Sequence, residues 1–177
     1  MAMMSNANRY GNVAIALHWI SGLAILLLVP LGFLMQAVEP ASQVVLYRAH
    51  AILGLTALFL TVLRVVWWIA FDRKPVAIDG PGWQKGLARG VHVLFYVALL
   101  VLGASGIATM ALSGAGEFIF ERGIAPPPGI FDNIAPRMVH GLLAWLLIVL
   151  LVLHVGAVLL HQFRKRDGML ARMLPGS

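Results

Sequence analysis

The chain has 177 residues, 60% hydrophobic and only 11% charged, a composition of membrane proteins rather than of a water-soluble domain this size. It has no cysteine, which excludes disulfides, cysteine-held iron–sulfur clusters and the C-x-x-C-H attachment of c-type haem; six histidines remain as the main candidate metal ligands. The formal charge of +6 lies mainly in loops and the C-terminal tail, where membrane orientation accounts for it, and the absence of a nucleic-acid motif or basic aromatic platform argues against a nucleic-acid partner.

Four apolar runs follow one another. The first covers residues 13–36 and carries His18, with Pro30 and Gly32 placed to bend it. It exceeds the roughly 7–15 apolar residues of a signal peptide, so it is expected to remain as a span. The second, 47–71, holds His50 near its start and Arg64 within. A polar link with Pro75, Gly80 and Pro81 leads to the third, 87–112, with His92 near its start. A longer loop, rich in breakers (Gly114, Gly116, Pro126-Pro127-Pro128-Gly129), precedes the fourth, 137–163, which carries His140, His154 and His161. Each run has about 24–27 residues, enough to cross a bilayer with some tilt. The expected fold is an all-α integral membrane four-helix bundle, one domain over 1–177.

Lysine and arginine set the orientation. With the N-terminus inside, the inner segments hold Arg9, Arg73, Lys74, Lys85, Arg89, Arg164, Lys165, Arg166 and Arg172, and the outer ones only Arg48, Arg122 and Arg137. Both termini are therefore expected in the cytoplasm. Trp19, Trp67, Trp68 and Trp83 then fall near the inner interface, where an aromatic belt explains them. The run Arg164-Lys165-Arg166 reads as a stop-transfer and orientation signal.

That topology assigns each histidine a depth: His50 and His140 near the outer surface, His18, His92, His154 and His161 in the inner layer. His140 and His154 are fourteen residues apart, so they share a helix face about 21 Å apart. A single histidine in a span is more often an interhelical hydrogen-bond partner than a ligand. A matched set at two depths fits two haem b groups stacked across the membrane, each with two axial imidazoles from different helices. The outer pair is His50 with His140; the inner is His154 with either His18 or His92. Arg64, fourteen residues after His50, reaches the inner level, where a haem propionate suits a guanidinium that is costly to bury alone. Gly22, Gly54 and Gly141 leave room beside the histidines for a flat ring, although glycine is also common at ordinary helix contacts. The remaining inner histidines, His92 and His161, read either as interfacial hydrogen-bonders or as proton donors to a quinone beside the inner haem.

The chain resembles the bacterial four-helix cytochrome b561 family, the di-haem membrane cytochromes that include superoxide oxidase. The likeness runs from about Arg9 to Pro175. It is carried by Arg9-Tyr10 with Ala16-Leu17-His18-Trp19, His50 with Gly54, Val62-Leu63-Arg64, Gly86-Leu87-Ala88 leading to His92, His140-Gly141, Leu153-His154 with His161, and the ending Met169-Leu170-Ala171-Arg172-Met173-Leu174-Pro175. The resemblance implies His18 and His154 on the inner haem, His50 and His140 on the outer, and a ubiquinone site at His92 and His161.

Function follows as an expectation: electrons pass from a periplasmic donor, superoxide or a periplasmic redox protein, to ubiquinone in the bacterial inner membrane, among lipid, with a homodimer left open. Two competitors stand beside it, a haem b anchor subunit linking a dehydrogenase or hydrogenase to the quinone pool, and a haem-free membrane bundle. Short loops and termini offer a partner little surface and favour a stand-alone protein. Two departures weigh against superoxide. The outer segments set three arginines against Glu39, Glu117, Glu121 and Asp132, a net of −1, where an anionic substrate benefits from a positive funnel. Asp79 and Gly80 also stand where the family has lysine and proline.

Overall fold

Four long helices occupy the four apolar runs in the computed structural model, which describes residues 2–76 and 81–176; the departures at Asp79 and Gly80 lie outside the described residues. α1 spans Asn12–Ala37, α2 Pro40–Val66, α3 Gly82–Ser113 and α4 Ala135–Leu159. α2 and α4 continue through wider, π-helical turns at Trp67–Phe71 and Leu160–Lys165. With these turns included, the helices measure 26, 32, 32 and 31 residues, and each holds an 18-residue stretch of mean hydropathy between 2.1 and 2.8. No strand occurs among the described residues. The protein is an all-α, multi-pass membrane bundle.

The helices outrun the apolar segments that predict them. At about 1.5 Å per residue all four exceed the roughly 30 Å hydrocarbon layer, so their ends reach into the headgroups. The largest difference is at α2, which starts at Pro40 rather than at residue 47. Proline suits the first helical turn, where its missing N–H has no partner to lose and its φ is already helical. Ser42 and Gln43 hide this turn from a hydropathy reading.

Successive helices pack closely in the order α1–α2, α2–α3 and α3–α4. Gly103 marks the tightest approach of α3 to α2, since a Cβ there would lie 2.7 Å from Leu58 Cδ1. In contrast, α1 reaches α3 and α4 through side chains. Ile25, Leu102 and Leu147 form a buried cluster with Phe95, Leu99, Leu143 and Ala144 around it, and Phe33 meets Trp145 edge-on, ring centres 5.5 Å apart. Leu147 lies seven residues from both His140 and His154, so this cluster separates the two histidine levels. Beyond α3, a π-helical turn at Glu117–Arg122 closes one end of the bundle; Ile119 is fully buried there, and its carbonyl accepts Arg48 Nε at 2.8 Å.

Both termini lie at the opposite end, the inner one in the orientation the charges predict. They are laced together. Asp72 accepts the Ser5 N–H (2.9 Å) and hydroxyl (2.7 Å), the Trp67 indole N–H and the Arg73 N–H. Arg172 donates to the carbonyls of Asn8 and Val76, each at 2.8 Å, Arg9 to that of Leu174 and Trp19 to that of Met173. Burial alone would raise the Asp72 carboxyl. The Ser5, Arg73 and Trp67 donors outweigh burial and hold it below the usual carboxylate range. A group depressed in this way stabilises the fold above its unfolded value and loses that contribution as pH falls through its folded one. The lacing is expected to loosen below about pH 4. Melting in detergent between pH 7 and 3 should show a fall in stability that Asp72→Asn reduces; equal slopes in both proteins would refute this.

Candidate functional site

Two histidine pairs face each other inside the bundle. His50 on α2 and His140 on α4 have ring centres 6.1 Å apart. At the inner level His18 on α1 and His154 on α4 stand 6.2 Å apart. A metal held from two sides by imidazole nitrogens, at about 2 Å per bond, sets the ring centres about 6 Å apart. Each pair bridges helices whose backbones are not closely packed, which leaves a gap between them. Gly22, one turn from His18, opens on empty space, and Gly54, one turn from His50, meets only Leu28 at 4.0 Å. Neither glycine serves a tight helix contact. Gly141 differs, since its Cβ position faces Arg137 at 3.4 Å.

Second nitrogens decide which ring atom is left for a metal. His140 Nδ1 donates to the Leu102 carbonyl at 3.0 Å, with the Ser105 hydroxyl 3.2 Å away. This fixes the tautomer and frees Nε2, the usual arrangement of a ligating histidine. Gly106 makes the approach possible, because a Cβ there would sit 3.3 Å from His140 Cε1. His50 Nδ1 is buried without a hydrogen bond of normal geometry, although the Leu28 carbonyl lies close to it. The described residues contain no cluster of three or more His, Asp or Glu able to hold a metal. Each pair would supply two imidazole nitrogens to one iron, with the rest of the coordination coming from the group itself. These residues fit a bis-histidine haem at both levels.

A family model described as prokaryotic cytochrome b561 covers residues 9–176. The chain belongs to the prokaryotic cytochrome b561 family. It is 25% identical over 176 residues to cytochrome b561 homolog 1 of Escherichia coli (strain K12), covering 95% of this chain and 98% of the relative. Homolog 2 of the same organism is 25% identical over 185 residues, covering 98% and 95%. A probable superoxide oxidase CybB of Yersinia pestis is 26% identical over 179 residues, covering 94% and 96%. Membership makes this protein a membrane electron carrier and implies that it binds haem b.

In this cytochrome the inner level is the more crowded. The His92 ring lies 5.6 Å from His154 and perpendicular to it, and Phe95 is equally near. Distance alone therefore gives His154 two partners, the ambiguity that the sequence also leaves. The two differ in setting: His18 stands across the open gap, whereas His92 is on α3, packed against α4, with Nδ1 bonded to the Ala88 carbonyl at 2.6 Å. Arg64 reaches the inner pair, its guanidinium 3.4 Å from His18 Nδ1 and over the Tyr96 ring at 5.6 Å. Lys74 lies over Trp68 at 5.6 Å and Tyr96 at 6.0 Å. Burial, then the nearby Arg64 and Arg89, hold its ammonium below the ordinary lysine range. Neither cation has a carboxylate partner among the described residues.

The three outer arginines divide by role. Arg122 is paired with Glu117, and Arg48 is bound to the Ile119 carbonyl. Arg137 makes no ion pair among the described residues and is close enough for its charge to act on Tyr47, His50 and His140. The sequence does not separate these three, since loop folding alone decides their partners. At the other end His161 is joined to Asp167, and no hydrogen bond links it to His92 among the described residues. Asp167 is a site residue that sequence reasoning misses: it lies beyond the helix, where periodicity carries no information. The belt tryptophans have individual partners, Trp19 at Met173, Trp67 at Asp72 and Trp68 at Tyr10, while Trp83 is exposed.

Proposed function

We propose that this cytochrome holds two haem b groups, between His50 and His140 and between His18 and His154, in a single transmembrane domain, and moves electrons from superoxide at the outer surface to ubiquinone in the bacterial inner membrane. The observation that carries the reading is the repeated spacing of about 6 Å between imidazoles, at two levels fourteen residues apart on α4. When bound, the haems supply one-electron redox chemistry across the membrane.

The residues supply ligation, spacing and charge. The sparse backbone contact between α1 and α4, against the close packing of α3 on α4, favours His18 over His92 as the inner ligand. Arg64 gives the inner propionates a cation. His92 and His161 border the quinone, and the positive-inside bias puts both termini in the cytoplasm. Two superoxide anions each give up one electron and leave as dioxygen, and one quinone takes both electrons with two protons to become quinol. The relative named probable superoxide oxidase supports this substrate. The outer segments carry a net of −1, so capture of the anion falls to the local charge of Arg137.

Stopped-flow mixing of the purified cytochrome with superoxide, with and without quinone, tests the reading. Rapid b-haem reduction is expected, followed by reoxidation when quinone is present. Arg137→Gln is expected to slow the superoxide step about tenfold or more and to flatten its salt dependence. Slow reduction indifferent to superoxide would point instead to an anchor subunit, which a co-purifying dehydrogenase would reveal.

A further inference from the structure

The chain reversal after α4 is built to return a carboxylate to the helix it has just left. The last turn widens over Leu160–Lys165. The Arg166 N–H donates to the His161 carbonyl at 2.7 Å. Arg166 takes φ 52° and Gly168 φ 72°, a left-handed conformation that an arginine adopts only when its surroundings demand it. Between them Asp167 points back. Its Oδ2 lies 2.5 Å from His161 Nδ1, and its Oδ1 accepts the Met169 N–H at 3.2 Å. The two side chains keep only 18% and 21% of their surface exposed. His161 itself is seven residues beyond His154, which places it on the same face roughly 10 Å further toward the inner end.

We propose that Asp167 is a positioning residue for His161, forming with it a carboxylate–imidazole couple that delivers protons to the quinone from the inner surface. This rests on the reading of His161 as a quinone neighbour. With Nδ1–H held by the carboxylate, the ring cannot rotate freely, and Nε2 becomes the atom that faces a substrate. The imidazolium passes its Nε2 proton to a quinone carbonyl oxygen as that oxygen gains electron density, the electrons coming from the redox groups of the same chain. Water at the inner surface then returns a proton to Nε2. Two such cycles supply the two protons of the quinol.

Few other charges bear on the couple. Lys165 acts on Asp167 and is itself tied to Gln84 on α3 at 3.1 Å, while Lys74 and Arg64 act on His92 instead. Burial would raise the Asp167 carboxyl, yet the bonds from His161 and Met169 and the charges of His161 and Lys165 hold it below the usual range. It is therefore ionised throughout the range in which imidazole titrates.

The test uses the haem-loaded protein in detergent with a short-tailed ubiquinone as acceptor, comparing the wild type with Asp167→Asn, Asp167→Glu and His161→Gln. Two readouts are taken: kcat and KM for quinone reduction, and the melting temperature of each variant. Asp167→Asn is expected to lower kcat for quinone reduction at pH 7.5 at least tenfold, with KM and melting temperature little changed. Asp167→Glu should restore most of the rate, and His161→Gln should slow it further, about 100-fold or more. A wild type that delivers no electrons to quinone would remove the quinone reading and this inference with it. If the wild type is active and His161→Gln slow, an unchanged kcat in Asp167→Asn would overturn this inference alone. So would a loss in Asp167→Asn that merely tracks a lower melting temperature and is not restored by glutamate.

Discussion

Replacing His140 by alanine is expected to remove roughly half of the b-type α-band in a reduced-minus-oxidised spectrum and to leave the other half at its original potential. His50→Ala should remove the same half. His18→Ala and His154→Ala should each remove the complementary half. The reason is geometric: each ring pair is spaced for one metal, and the core cluster around Leu147 separates the levels. His92→Ala is the informative control. Its ring is as near to His154 as that of His18, but it lies on the closely packed α3 side, so haem content should survive its loss. Loss of the inner haem in His92→Ala, with retention in His18→Ala, would reverse the inner assignment. Unchanged spectra in His140→Ala and His154→Ala would defeat the ligand set entirely.

The second large effect concerns the bundle rather than the cofactors. Gly103→Val is expected to destabilise the protein by about 1–3 kcal/mol, the usual cost of overpacking, and to lower its melting temperature by about 2–10 °C. The added carbon would lie 2.7 Å from Leu58 Cδ1, 2.9 Å from Cδ2 and 3.0 Å from Cβ. A contact that includes Cβ is not relieved by turning the leucine, so α2 and α3 must separate. Leu58→Ala in the same chain should recover part of the loss, giving a coupling energy outside simple additivity. Strictly additive effects would show that the helices do not meet at this point. Gly22→Ala makes a useful contrast, because its Cβ meets nothing and should leave packing unharmed.

The parts legible in the sequence are those that lipid and helix periodicity impose. A bilayer requires long, nearly uninterrupted apolar runs, so the four spans stand out. Fourteen residues return to one face, so His140 and His154 announce a shared stripe, and Arg64 is matched to His50 in the same way. Other features depend on contacts between segments distant in the chain. Ser105 and Gly106, which seat the His140 ring, lie on α3 some 35 residues away. The contrast between His18 and His92 needs the knowledge that α3, and not α1, packs tightly on α4. Arg137 differs from Arg48 only because the outer turn presents the Ile119 carbonyl to one of them. Asp167 returns to His161 through a left-handed arginine, for which no local pattern prepares.

The lacing at the termini has a consequence for biogenesis. Residues 5–10 find their hydrogen-bond partners at Asp72, Val76 and Arg172, through bonds that include Tyr10 N–H to the Arg172 carbonyl and Val76 N–H to that of Ala7. During synthesis the segment 5–10 stays half-partnered until residues 172–174 have been made and can complete its hydrogen bonds. The knot at the membrane surface closes once residues 172–174 are in place, and a bulky group inserted close behind Leu174 would hinder that step more than one placed on the opposite side of the membrane.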